Sequence, residues 1–170
     1  MMPSPALSPA INQAVEFDRL TVQSPIGALT LVEHDGTITG LTWEAGPGVH
    51  RAAPTALLAE AENQLGAYFG GRLEDFDLPL AAPGRDFQKR VWEAIRAIRY
   101  GSTRTYGALA KKLRTGPRAL AGACAANPIP VLIPCHRVLG AGGKLHGYSG
   151  RGGTETKATL LSLEGARTRV

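Results

Sequence analysis

Apolar side chains recur at every second position near the start of this chain and at every third or fourth position from residue 54 onward. No single regular element satisfies both patterns. The stretches "FDRLTVQS", "GALTLVEH" and "TITGLTWEA" alternate, and the last two meet across His34, Asp35 and Gly36, a hairpin-type turn. A small antiparallel sheet is expected there. Next, "PTALLAEAENQLGAYFGG" puts Leu58, Ala61, Leu65, Tyr68 and Phe69 on one helical face and closes with glycines, before a short strand-like "EDFDLPL". Beyond the turn-like "LAAPGR" at 80–85 the pattern is helical. Asp86 can cap a helix whose Phe87, Val91, Ile95 and Ile98 form an apolar stripe ending at Gly101. Tyr106, Leu109, Ala110 and Leu113 mark a second helix, and "RTG" separates it from a third, "PRALAGACAAN", with Pro117 suited to a first helical turn.

This order predicts an α/β N-terminal domain over residues 16–80, a small antiparallel sheet plus a helix. A mainly α C-terminal domain follows over 83–165, with a winged-helix-like helix-turn-helix. Residues 1–15 are expected to be disordered and 166–170 to form a tail. Two helices across a glycine-containing turn fit a helix-turn-helix and an ordinary helical hairpin alike.

Charge separates the two parts more sharply than composition does. Residues 1–82 carry three basic and ten acidic side chains, a net −7, whereas residues 83–170 carry sixteen basic and four acidic ones, a net +12. The C-terminal part is therefore expected to face a polyanion, with nucleic acid favoured over a merely solvated basic surface. No apolar run approaches the roughly 20 residues that span a bilayer, and the start "MMPSPALSPAINQ" has no basic segment of a signal peptide, so no membrane partner and a cytoplasmic location are expected. In that setting two cysteines eleven residues apart read as free thiols. There is no CxxC or HxxxH pair, and His34, His50, His136 and His146 are scattered, so no metal and no other cofactor is expected.

The third helix is almost entirely Ala and Gly. Small residues let a helix backbone approach a narrow groove, with Arg118 as a side chain to insert into a base stack, but they also suit a tightly packed core helix. Cys124, on this helix, reads as a small buried hydrophobe. Cys135 is different: "VLIPCHRVLG" ends an apolar, strand-like "VLI" at Pro134 and places a thiol, an imidazole and a guanidinium in succession. A thiol becomes a useful nucleophile beside a base or a positive charge. In extended backbone, however, Cys135 and His136 would point to opposite faces and need a turn or a water to share a proton.

The stretch "NPIPVLIPCHRVLGAGGKLHGYSG" resembles the active-site region of the O6-alkylguanine-DNA alkyltransferases, the suicide DNA-repair methyltransferases. The resemblance covers roughly residues 83–165. It implies that Cys135 accepts an alkyl group from guanine O6 in duplex DNA, and from O4-alkylthymine, once only and after base flipping. It further implies that His136 acts on the thiol through a water, that Glu164 in "KATLLSLEG" orients His136, and that Asn127 joins the same network. A carboxylate at a helix C-terminus opposes the macrodipole by about 0.3 to 1 kcal/mol, which a role for Glu164 would explain. Tyr106 matches the tyrosine that crowds the target phosphate and protonates the leaving guanine. Arg118 matches the arginine finger, with Pro117, Ala119, Gly122 and Ala123 on the DNA-facing helix. Cys124, Val138, Tyr148, Ser149 and Arg137 are placed about the base, the carbonyls of Cys135 and Val138 as acceptors for its amino group. The chain departs from the family in "RALAG" for RAVG, in a segment between Tyr106 and Arg118 about two residues short, and in one between Ser149 and Lys157 about two long. Its expected partner is double-stranded DNA containing O6-alkylguanine, met as a monomer. A non-catalytic lesion sensor, which in this family's relatives carries tryptophan at the acceptor position, and a DNA-binding regulator are the alternatives.

Overall fold

The computed structural model describes residues 16–46, 49–50 and 53–166; the expected disordered start and the tail beyond Ala166 lie outside the described residues. The alternating stretches form β1 (Asp18–Val22), β2 (Leu29–His34) and β3 (Thr37–Thr42), and β4 (Val49–His50) adds parallel to β1, for a sheet order β3-β2-β1-β4. β2 and β3 turn through Asp35 and Gly36, both at positive φ (48° and 71°), the twist that two-residue hairpins favour. A register shift between Val32 and Glu33 bends the pair.

Residues 74–80 are not the expected strand. They run as coil until Leu80 forms an isolated parallel bridge to Ile38. Pro79 has no N–H to extend a ladder, but its carbonyl accepts from Ile38 N at 2.8 Å, and Ala81 N donates back to Ile38 O at 2.9 Å. Leu41 N donates to Pro128 O at 3.0 Å, so the β3 edge is covered by chain from both halves of the sequence.

Thr55 caps α1 (Ala56–Phe69) by accepting from Leu58 N at 3.1 Å, and Leu58, Ala61, Leu65 and Tyr68 are buried as the spacing requires. In α2 (Asp86–Arg96) the cap residue is Arg85 rather than Asp86. Gln88 Oε1 accepts from Arg85 N at 2.9 Å and Asp86 lies in the first turn. α2 stops at Arg96, so Ile98 packs from the following turn. Trp92 donates its indole N–H to Ala123 O at 2.9 Å, tying α2 to the third helix of this half.

Thr105 ends a two-residue strand, β5 (Arg104–Thr105), and caps α3 (Tyr106–Lys112). A turn with Arg114 at φ 54° leads to α4 (Pro117–Ala125), with Pro117 in its first turn, completing the helix-turn-helix. The apolar "VLI" is a turn, not a strand. Val131 has φ 73°, Ile133 N donates to Ile129 O at 2.8 Å, and Pro130 bridges Ile133. Prolines at 128, 130 and 134 remove three ladder donors, and all three residues of 131–133 are buried, whereas a half-buried strand would alternate. Cys135–Arg137 then forms one 3-10 turn, and β6 (Val138–Leu139) pairs parallel with β5. That short pairing sets the start of α3 beside the cysteine. Gly152 and Gly153, both at positive φ, lead into α5 (Thr154–Leu163).

Candidate active site

Cys135 opens into a cavity of about 620 Å³. Tyr106 from α3 and Pro117, Arg118, Ala121, Cys124 and Ala125 from α4 form one side, and the loop residues His146, Gly147, Tyr148 and Ser149 form the other. Asn127 fixes the approach to the cysteine: its Nδ2 donates to Ile133 O at 2.9 Å and its Oδ1 accepts from Ile129 N at 3.0 Å, clamping the 129–133 turn. Cys135 is 4% exposed. Burial raises its pKa, against the lowering influence of the Asn127 amide and the Lys157 charge, so the resting thiol keeps its proton and needs a base.

His136 is fully buried, and its Nε2 lies 2.7 Å from Glu164 Oε1. Burial pushes the imidazole below its ordinary range, although Glu164 opposes this, so the ring is neutral near pH 7. A neutral ring facing a carboxylate carries its proton on Nε2 and leaves the lone pair on Nδ1. Nδ1 is buried without a hydrogen-bond partner in the protein. Glu164 caps the end of α5 and accepts from His136, from Arg137 Nε and Nη2 at 2.9 Å each, and from the Tyr68 hydroxyl at 2.7 Å. Burial would raise this carboxyl, but the donors, His136 first and then Arg137, outweigh it and hold it at about 2.

Arg137 is not at the base cavity. Its guanidinium forks onto Glu164, donates to Ile98 O at 2.6 Å and lies 5.8 Å from the Tyr100 ring centroid. The 3-10 turn sends it away from the thiol, so it anchors the carboxylate. Val138 is fully buried and absent from the cavity wall, and its carbonyl accepts from Lys157 Nζ at 2.6 Å, leaving one lone pair for any ligand.

On α4 the expected outer face is only partly outer. Pro117, Arg118, Ala119 and Gly122 are exposed, but Ala123 is buried with Leu120 and Cys124. Three-residue and four-residue steps from Leu120 turn those side chains inward, so Ala123 belongs to the core. The exposed row runs instead through Ala121, Gly122 and Ala125, all small. The core reading therefore holds for the inner face, and the outer face presents only small side chains. Burial pushes the Tyr106 hydroxyl up to about 12, with the two thiols adding to it, so it remains a proton donor at neutral pH. Among the described residues no group of three or more His, Cys, Asp or Glu could hold a metal ion.

Residues 86–166 match the family model for the 6-O-methylguanine DNA methyltransferase DNA-binding domain, and residues 19–82 match that for the ribonuclease-like domain of the same proteins. The chain belongs to the 6-O-methylguanine DNA methyltransferase family. A methylated-DNA--protein-cysteine methyltransferase of Mycolicibacterium paratuberculosis is 46% identical over 151 residues, covering 85% of this chain and 90% of that one. The corresponding protein of Mycobacterium bovis is 44% identical over 154 residues, covering 86% and 92%. Among solved structures, the Mycobacterium tuberculosis OGT in complex with DNA superposes with a TM-score of 0.74 at 42% identity, over 89% of this chain and 93% of that one.

Three side chains of this methyltransferase site were not singled out from the sequence. Lys157 is fully buried on α5, its Nζ donating to Val138 O, to His146 O at 2.9 Å and to Gly147 O at 3.2 Å, and lying 5.6 Å from the Tyr106 ring centroid. It ties the cavity loop to the cysteine turn. Tyr68 reaches Glu164 from the other half of the chain. Trp43, held by an indole hydrogen bond to Ile26 O at 2.9 Å, meets the Tyr148 ring edge-on at 6.4 Å. A methyl group on Gly150 would lie 2.3 Å from Tyr148 and 2.8 Å from Trp43. Gly150→Ala is accordingly expected to displace Tyr148, costing roughly 1–3 kcal/mol of stability in a thermal melt and slowing alkyl transfer. An unchanged rate would show that Tyr148 does not depend on this packing.

Proposed function

We propose that this protein repairs DNA by direct reversal, moving the methyl or larger alkyl group of O6-alkylguanine in duplex DNA irreversibly onto its own Cys135. The supporting observation is that Cys135 lines the cavity and is followed directly by a fully buried histidine, His136, whose Nε2 is fixed by the Glu164 carboxylate. Nδ1 of His136 takes the thiol proton through an intervening water. The thiolate attacks the alkyl carbon, the new C–S bond forms as the C–O6 bond breaks, and the electron pair leaves on guanine. The Tyr106 hydroxyl, held protonated by its burial, donates a proton to that guanine as it departs and regains one from solvent, to which His136 releases the proton it took, so the net change moves the thiol proton to guanine. A thioether has no leaving group that this site can activate, so each chain reacts once and needs no cofactor. O4-alkylthymine presents a similar carbon–oxygen bond and fits the same chemistry.

The base must leave the stack to reach a thiol on a cavity floor. Arg118, exposed at the cavity mouth, fills the gap, while Pro117, Ala119 and Gly122 let α4 approach the groove. Tyr148 and Ser149 close over the extruded base against Cys124. We assign residues 16–80 to a supporting domain and 83–165 to the DNA-binding, reactive one, acting as a monomer in the reducing cytoplasm, where both thiols stay free. Duplex binding carried by a +12 segment loses affinity steeply and log-linearly as salt rises, with little dependence on sequence.

The test mixes the protein with duplex carrying labelled O6-methylguanine. Label on protein that saturates at one per chain, with salt-sensitive duplex binding, is expected. Tight binding to the lesion with no label transferred would favour a sensor instead.

A further inference from the structure

We propose that Tyr68, on α1 of the N-terminal half, is a positioning residue of the alkyl transfer, fixing the Glu164 carboxylate that holds His136. This rests on the relay proposed above. Tyr68 is fully buried, and its hydroxyl donates to Glu164 Oε1 at 2.7 Å, the same oxygen that faces His136 Nε2 at 2.7 Å and receives Arg137 Nη2 at 2.9 Å. Its ring is walled by Phe69, Phe76 and Tyr100, with centroids at 5.2, 5.1 and 6.2 Å, so the hydroxyl has a defined direction. Packing alone would be served by phenylalanine. A hydroxyl buried in an aromatic cage needs an acceptor, and here that acceptor is the relay itself.

Sharing Oε1 among three donors has a chemical consequence. Each donor withdraws charge from the carboxylate, so Tyr68 limits how strongly Glu164 pulls the His136 proton and stabilises imidazolium. The other groups facing this pair are Arg137 from the cysteine turn, Lys157 from α5 and Tyr100 ahead of β5; of these only Arg137 donates to Oε1, and it already does so with Tyr68 in place. Without the hydroxyl, Oε1 pulls harder on Nε2–H and the imidazole gains proton affinity. The acid limb of the rate profile then moves to higher pH. The carboxylate also loses its lateral restraint, and the plateau rate drops. The N-terminal half thus reaches the base of the relay, His136, through two hydrogen bonds in series.

The experiment compares wild type, Tyr68→Phe, Thr55→Ala and His136→Gln in single-turnover transfer from duplex containing O6-methylguanine, across pH, with melting curves. Thr55→Ala removes the cap of the same helix and controls for lost stability alone. Tyr68→Phe is expected to lower the plateau rate about five- to tenfold and to move the acid limb up by roughly half a pH unit, with duplex affinity unchanged. Thr55→Ala is expected to lower the melting temperature and leave the limb in place. A Tyr68→Phe limb coincident with wild type, whatever its melting temperature, overturns the proposal. If His136→Gln also leaves the limb where it was, the relay itself has failed; if His136→Gln abolishes the limb and Tyr68→Phe does not move it, only the role of Tyr68 has failed.

Discussion

Arg137→Ala is expected to destabilise the protein by roughly 3–5 kcal/mol, because it strips the main counter-charge from a carboxylate that has no access to water. Glu164 has no side-chain exposure in its ion pair with Arg137, and the guanidinium supplies two of its four donors. The same substitution orphans Ile98 O, which accepts from Arg137 Nη1 at 2.6 Å. Against a typical total of about 5–15 kcal/mol, such a loss leaves the variant close to its unfolding threshold at 37 °C. Arg137→Lys is expected to recover little, since a point ammonium cannot reach both carboxylate oxygens and Ile98 at once. Thermal melts of the two variants check this. The pH dependence of wild type gives a second reading: Glu164 is held at about 2 against an ordinary value of 4.5, so its contribution to stability is present above about pH 4.5 and is lost as pH falls toward 2.

His136→Gln is expected to slow alkyl transfer at pH 7 by about 10²- to 10⁴-fold while leaving the fold intact. Glutamine keeps a polar group near Glu164, and Arg137 and Tyr68 still satisfy the carboxylate. The thiol pKa is raised by burial, so without the imidazole little thiolate exists at neutral pH. The defect should therefore shrink as pH rises toward the titration of the thiol. In wild type the rate should fall only below the ordinary histidine range, because burial keeps the ring neutral down to lower pH. Single-turnover rates across pH decide it, and a variant as fast as wild type at pH 7 would remove His136 from the mechanism.

The sequence made some of this legible for reasons that can be named. Alternation points to β1 to β3, His34, Asp35 and Gly36 mark the β2–β3 hairpin, and three- to four-residue spacing points to α1 and the helix-turn-helix. The motif points to Cys135, His136 and Glu164, and of these His136 and Glu164 meet in space. The failures are physical too. A buried turn and a buried strand share one apolar signature, so 131–133 read as a strand until its prolines and Val131 at φ 73° are counted. An Ala-rich helix has no contrast between faces, which hid the inward turn of Ala123. A lysine in a helix is ordinarily solvated, and nothing local shows that Lys157 will meet three carbonyls. Tyr68 and Glu164 are 96 residues apart, beyond any periodicity. The family resemblance places Arg137 about the base, whereas a single 3-10 turn sends its side chain away from Cys135 and onto Glu164.

Two thiols line one cavity, so where the alkyl group lands tests the account most directly. The protein is mixed with excess duplex containing O6-methylguanine, digested with trypsin, and the peptide 119–137, which holds both cysteines, is sequenced by fragment-ion mass spectrometry. The account predicts a mass gain of one methyl group per chain, located on Cys135, and none in Cys135→Ser. A methyl group on Cys124, or a chain that remains unmodified, would contradict it.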